Sequence, residues 1–227
     1  MIKSNSFQQW QPKNLDLILA LLITFLLPLI ANFLYLKTGA FLPMVLYYGL
    51  AWGIVKWRRG STGYFKPLPK KIPIAFYINI GIILLSVLFA YFAPIVHSSE
   101  YISGVIATAL IWAPMNAATE QLLWIYIFES WDLYPSKKPG LYKIIGLILF
   151  SAFVGLIHTM YWVQFLHTVD SSKVFGTIFV LLTTVSGFLH LIVWRKSNQM
   201  IFTFIPHFLL NLLPLFWTNY SIIPYLF

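Results

Sequence analysis

Apolar residues gather in seven long runs, at about 15–36, 40–56, 73–95, 101–128, 141–163, 173–194 and 199–216. Short polar turns separate them. About 20 apolar residues cross the hydrocarbon core of a bilayer as a helix, the one open-chain form that satisfies its own backbone there. Charged residues are 9% of the chain, against about 25% in a soluble domain. The pattern predicts an all-α fold, a polytopic transmembrane helix bundle of seven to eight spans. The eighth requires the tail 217–227 to fold back along the bilayer. The first run is too long for a signal-peptide core and lacks a small-x-small cleavage site, so it reads as a retained span. One membrane domain, 1–227, is expected, with N-terminal spans in 1–100 and a core in 101–216.

The basic residues orient the bundle. With the N-terminus in the cytoplasm, the cytoplasmic segments hold Lys3 and Lys13, then Lys56, Arg58, Arg59, Lys66, Lys70 and Lys71. They also hold Lys137, Lys138 and Lys143, then Arg195 and Lys196. That is thirteen of the fifteen lysines and arginines; only Lys37 and Lys173 fall outside. Cytoplasmic loops carry this excess in membrane proteins, so the net charge of +9 needs no nucleic acid. Loop 57–72, with Gly60, Gly63, Pro67 and Pro69, reads as a topology anchor on anionic lipid. The chain has no cysteine, which excludes disulfides, cysteine nucleophiles and thiolate metal sites.

Glu120 is the only acidic residue deep in an apolar run. A carboxylate at that depth costs about 2.5–3.5 kcal/mol on insertion scales and marks a functional site by default. Asn116 lies one turn earlier on the same helical face. Gln121 is adjacent but points about 100° away around a 3.6-residue turn. Pro114 removes a backbone hydrogen bond and predicts a kink. His158 lies on the fifth run, where Gly155 is expected to admit a close backbone. His207 and Asn211 share a face of the seventh run, just after Pro206.

At about 1.5 Å per residue, Glu120 and His207 both lie roughly 12–14 Å from the cytoplasmic side, Asn211 about 18 Å and His158 about 21 Å. The first three agree, whereas His158 needs helix tilt or a shifted boundary. If they converge, Glu120 and a neutral His158 can hold and deprotonate a water. His207 and Asn211 can donate to a developing oxyanion. Glu120, His158 and His207 could equally hold a divalent metal such as zinc with an open position. Taken singly, each group has another reading: a His or Asn as a hydrogen bond between helices, Glu120 as a proton-relay carboxylate. His190 is expected at the cytoplasmic interface, Glu129 and Asp132 solvated at the water boundary, and His97 and His167 in outside loops without a role.

At these residues the chain resembles the CPBP family of intramembrane glutamate endopeptidases, the bacterial and archaeal relatives of the type II CAAX prenyl protease. The family pattern is Glu-Glu-x-x-x-Arg, then Phe-x-x-x-His, then His-x-x-x-Asn two spans later. Glu120-Gln121 to Ile125, Val154 to His158, and His207 to Asn211 take those places, and the resemblance covers about 105–214. It implies that Glu120 and His158 activate water and that His207 and Asn211 form the oxyanion site. It also implies a peptide or protein substrate in the membrane of a prokaryotic cell. Gln121, Ile125 and Val154 depart from the pattern. They leave open either a divergent active protease or a catalytically degenerate peptide-binding, immunity or maturation factor; Glu120 by itself also admits a proton-coupled transporter.

Overall fold

A computed structural model describes residues 10–69, 71–96, 98, 101–166 and 168–227. Lys3, Lys70, His97 and His167 lie outside the described residues. The apolar runs all fold as helices: α1 (Asn14–Thr38), α2 (Phe41–Arg59), α3 (Ile74–Phe92), α4 (Ile102–Ala107), α5 (Ala113–Asp132), α6 (Pro139–Met160), α7 (Val174–Ser197), α8 (Ile201–Leu212) and the short α9 (Leu215–Thr218). One wide π-helical turn, Thr108–Trp112, joins α4 to α5. It directly precedes Pro114, which cannot donate to the turn before it. The expected break is therefore a π turn inside a continuous 31-residue helix, Ile102–Asp132.

Among the described residues six helices are long and apolar enough to cross a membrane: α1, α3, the α4–α5 unit, α6, α7 and the α8–α9 unit. That is the helix set of a membrane protein. The remaining expected span folds as α2, of 19 residues, about 28 Å at 1.5 Å per residue. It has the length, but Lys56, Arg58 and Arg59 in its last turn dilute its apolar character. The tail makes no further helix of spanning length. It crosses the end of the bundle, where the Tyr225 and Leu226 carbonyls accept from Ala40 and Phe41 N–H at 2.7 and 3.1 Å. Those N–H groups open α2 and have no partner within the helix.

α5 is the central rod. Every residue from Thr119 to Ser130 is buried, and α1, α2, α6, α7 and α8 all pack on it. α3 lies outside, against α7 and α8. α1 turns Ile18, Leu22, Phe25, Leu29 and Phe33 outward, as a lipid-facing helix does. Gly146 lets α6 lie against α5, since a Cβ there would come within 2.7 Å of the Phe128 carbonyl. Gly155, expected to play that part, is exposed with open space beside it.

The basic end of the bundle is bound by charge. Arg58 grips Asp16 through two hydrogen bonds of 2.8 and 3.0 Å, and Tyr126 donates to the same carboxylate. Arg59 pairs with Glu129 at 2.9 Å, and Trp194 donates to Glu129 at 2.7 Å. Arg195 pairs with Asp132. Glu129 and Asp132 are thus sheltered in ion pairs and not solvated: the ends of α2 and α7 flank that of α5 and bring arginines to them. The loop after α2 packs into the bundle. Gly63, at φ +90° with the Trp194 ring 2.6 Å from a Cβ position, turns the chain back into the bundle. Tyr64 then stacks on Trp52 and donates to the Ala118 carbonyl at 2.7 Å. Burial raises the Tyr64 phenol above its usual range, which keeps it a donor.

Removing one member of a buried ion pair leaves the other charge unpaired, at about 3–5 kcal/mol. Glu129→Ala is expected to lower the thermal unfolding midpoint in detergent by that order. Gly155→Ala, which meets open space, is expected to leave it unchanged.

Candidate functional site

Glu120 sits in the middle of α5, 2% exposed. Its two oxygens have different surroundings. Oε2 accepts from Asn116 Nδ2 at 3.1 Å, one turn back on the same helix. It also faces His207 Nε2 of α8 at 3.1 Å. A carboxylate only accepts, so the His207 proton is on Nε2. Asn116 is held in turn: the Tyr48 hydroxyl of α2 donates to its Oδ1 at 3.0 Å, which aims the amide N–H at Glu120.

Oε1 is buried and has no hydrogen-bond partner. It faces His158 Nε2 of α6 at 3.7 Å, too far for a direct hydrogen bond. His158 Nδ1 lies 2.8 Å from the Val154 carbonyl, which fixes the proton of the neutral ring on Nδ1. Nε2 is then a lone pair directed at a carboxylate oxygen. Two acceptors facing each other are satisfied by a molecule with two O–H donors, or by a proton on the imidazole.

The meeting of Glu120 and His158 resolves the mismatch in counted depth. α5 and α6 run antiparallel and touch at Phe128 and Gly146. From that level the two residues lie about 12 and 18 Å along their helices. Side chains lean toward the N-terminus of their own helix. Glu120 therefore leans away from the basic end and His158 toward it, and the two side chains span the difference.

Asn211 shares the α5-facing side of α8 with His207, but its amide donates to the Ala113 carbonyl at 3.4 Å. That carbonyl is about 10 Å along the α5 axis from Glu120. Gln121 is fully buried, and neither amide atom has a hydrogen-bond partner; it does not support Glu120 by a contact. Among the described residues no three His, Cys, Asp or Glu side chains form a group that could hold a metal ion. His207 Nε2 is already spent on Oε2, and His158 stands off on the far oxygen.

Three further groups surround Glu120 and its partners. His190 is buried, not interfacial. Its Nε2 lies 3.1 Å from the Thr203 carbonyl and its Nδ1 2.6 Å from that of Ser186, and its ring is 5.8 Å from that of His207. Trp124, one turn along α5 from Glu120, lies 5.5, 6.2 and 6.3 Å from the rings of His207, His190 and His158. Its i+4 spacing from Glu120 was the available signal. Tyr48 gave none, because it meets Asn116 across 68 residues of chain.

Aromatic side chains pack beside α5 on the basic side of Glu120. Trp52 donates to Thr119 at 3.1 Å, and Tyr64 stacks on it beside Ala118. The exposed member of the site is His158, at 47% of its side chain, on the outer face of α6. Compared with known family models, curated proteins and solved structures, the chain matches none.

Losing a donor to a buried carboxylate costs about 1–3 kcal/mol. His207→Ala should lower the unfolding midpoint accordingly. His158→Ala, at a half-exposed ring beyond hydrogen-bonding distance, should stay within about 0.5 kcal/mol of the parent. Equal losses would contradict the asymmetry of the two oxygens.

Proposed function

We propose that this protein is an intramembrane endopeptidase, a divergent member of the CPBP type, in a prokaryotic cell membrane. It crosses the bilayer seven times, with α2 as a span and the N-terminus and basic end in the cytoplasm. Its substrate is a hydrophobic or membrane-associated peptide or protein. The observation that carries the reading is the unpartnered Oε1 of a buried glutamate facing the lone pair of His158 across 3.7 Å.

A water between those acceptors donates one hydrogen to each. As its oxygen adds to the peptide carbonyl carbon, Glu120 takes the proton. The carbonyl oxygen becomes the oxyanion of a tetrahedral adduct. Protonation weakens Glu120 as an acceptor, which frees the His207 N–H to turn to the oxyanion; the Asn211 amide, one turn further along α8, joins it on releasing the Ala113 carbonyl. The proton then passes to the leaving nitrogen, the C–N bond breaks, and a carboxylic acid and an amine leave. Tyr48 and Asn116 position Glu120 throughout. General-base catalysis of this kind contributes about 10²–10⁴-fold.

A second reading has its own observations. Gln121 and Ile125 supply no charge beside Glu120, and Asn211 is turned to Ala113. A non-catalytic peptide-binding factor of the same fold would keep the cluster for stability alone. The test is cleavage of a hydrophobic peptide library by purified protein in detergent, read by mass spectrometry. Glu120→Gln is expected to lose at least 100-fold in rate while remaining folded. Cleavage equal to the parent, or none by the parent, favours the second reading.

A further inference from the structure

The Tyr47 hydroxyl of α2 and the Trp124 indole N–H of α5 are both enclosed in the bundle, and neither has a hydrogen-bond partner. Burying such a group without a partner costs stability. The two stand together: the Tyr47 phenol meets the Trp124 indole and the Glu120 carboxylate. Two rings of α6 hold them there. Tyr47 stacks on Phe153 with centroids 6.3 Å apart, and Trp124 packs edge-on against Phe150 at 6.1 Å. Those phenylalanines lie three residues apart, close to one helical turn. Tyr48, next to Tyr47 in α2, is tied to Asn116, which fixes α2 beside Glu120.

Other buried indoles are also bare, among them Trp112 and Trp162. Trp124 differs in its surroundings. It lies one turn from Glu120, and its ring is 6.3 Å from that of His158. Three unpartnered buried atoms therefore gather near the His158 lone pair. Glu120 Oε1 accepts, Trp124 Nε1 only donates, and the Tyr47 hydroxyl does either. This set matches a peptide group under attack by water. The water needs an acceptor for its proton, and the carbonyl oxygen needs donors where negative charge develops. His207 and Asn211 are each engaged, on Glu120 Oε2 and on the Ala113 carbonyl. Tyr47 and Trp124 can donate without breaking an existing bond.

We propose that Tyr47 and Trp124 are catalytic residues: their O–H and N–H receive the carbonyl oxygen of the scissile peptide bond and hold it as the oxyanion while Glu120 takes the proton of the attacking water. This rests on the endopeptidase reading. His207 and Asn211 join the oxyanion only after releasing their own partners.

Tyr47→Phe removes the hydroxyl and keeps the ring. Because that hydroxyl satisfies no other group, the unfolding midpoint in detergent is expected to hold or rise. On a peptide that the parent cleaves, kcat is expected to fall about 10²–10³-fold, with KM within about three-fold of the parent. Tyr48→Phe is the contrast, since it frees Asn116 and should lower the midpoint. Trp124→Phe keeps an aromatic ring and should lower kcat as Tyr47→Phe does. A second readout needs no turnover. A phosphinic analogue of a hydrophobic peptide carries a tetrahedral anion in place of the scissile amide. Its affinity by calorimetry should drop at least about ten-fold in Tyr47→Phe. Parental kcat and analogue affinity in Tyr47→Phe, or an activity loss matched by a lowered midpoint, would overturn the proposal and leave the endopeptidase reading intact. A parent that binds the analogue through Tyr47 but cleaves no peptide sinks the endopeptidase reading and keeps the donor pair. A parent that neither cleaves nor binds sinks both.

Discussion

A carboxylate enclosed by hydrocarbon is costly unless its neighbours supply hydrogen bonds, and the central part of this protein is arranged around meeting that demand for Glu120. Three helices contribute. α5 provides Asn116 from its own preceding turn, α8 provides His207, and α2 reaches in through Tyr48 to orient the asparagine. The result is lopsided. One oxygen has two donors and the other has none. A purely structural carboxylate gains from satisfying both oxygens. In the endopeptidase proposed above, the reacting water sits between the second oxygen and the imidazole lone pair.

The charges at the basic end show the contrasting case. Asp16, Glu129 and Asp132 each meet an arginine, and Asp16 and Glu129 a further donor as well. Arg59 lies between the rings of Trp10 and Trp194, with its guanidinium 5.4 and 4.8 Å from their centroids. These groups tie the ends of α1, α2, α5 and α7 together. That network and the re-entrant loop at Tyr64 close the basic end of the bundle.

Much of the site was legible because intramembrane polar residues are rare and helix geometry is regular. Glu120 and Asn116 had to share a face at i and i+4, and His207 was matched to Glu120 by counting turns. His158 was not, since counting along the axis ignores the opposite lean of side chains on antiparallel helices. His190 looked interfacial because hydropathy places a residue along the membrane normal and says nothing about which neighbour covers it. Glu129 and Asp132 looked solvated for the same reason. Gly155 and Gly146 are equivalent in a sequence pattern; only the packing of α5 on α6 assigns the close approach to Gly146.

The sequence by itself determined that the chain is a set of apolar helices, that their basic turns gather at one end, and that a lone glutamate must find partners among few polar residues. Local periodicity and the cost of unsatisfied polar groups in hydrocarbon suffice for that. Tertiary structure decided which partners it found, that Asn211 turns to Ala113 instead, and that His158 is the exposed member of the cluster. Those outcomes depend on helix register, side-chain lean and a loop folding back through Gly63. All of them arise from contacts between segments far apart in the chain, which no local pattern encodes.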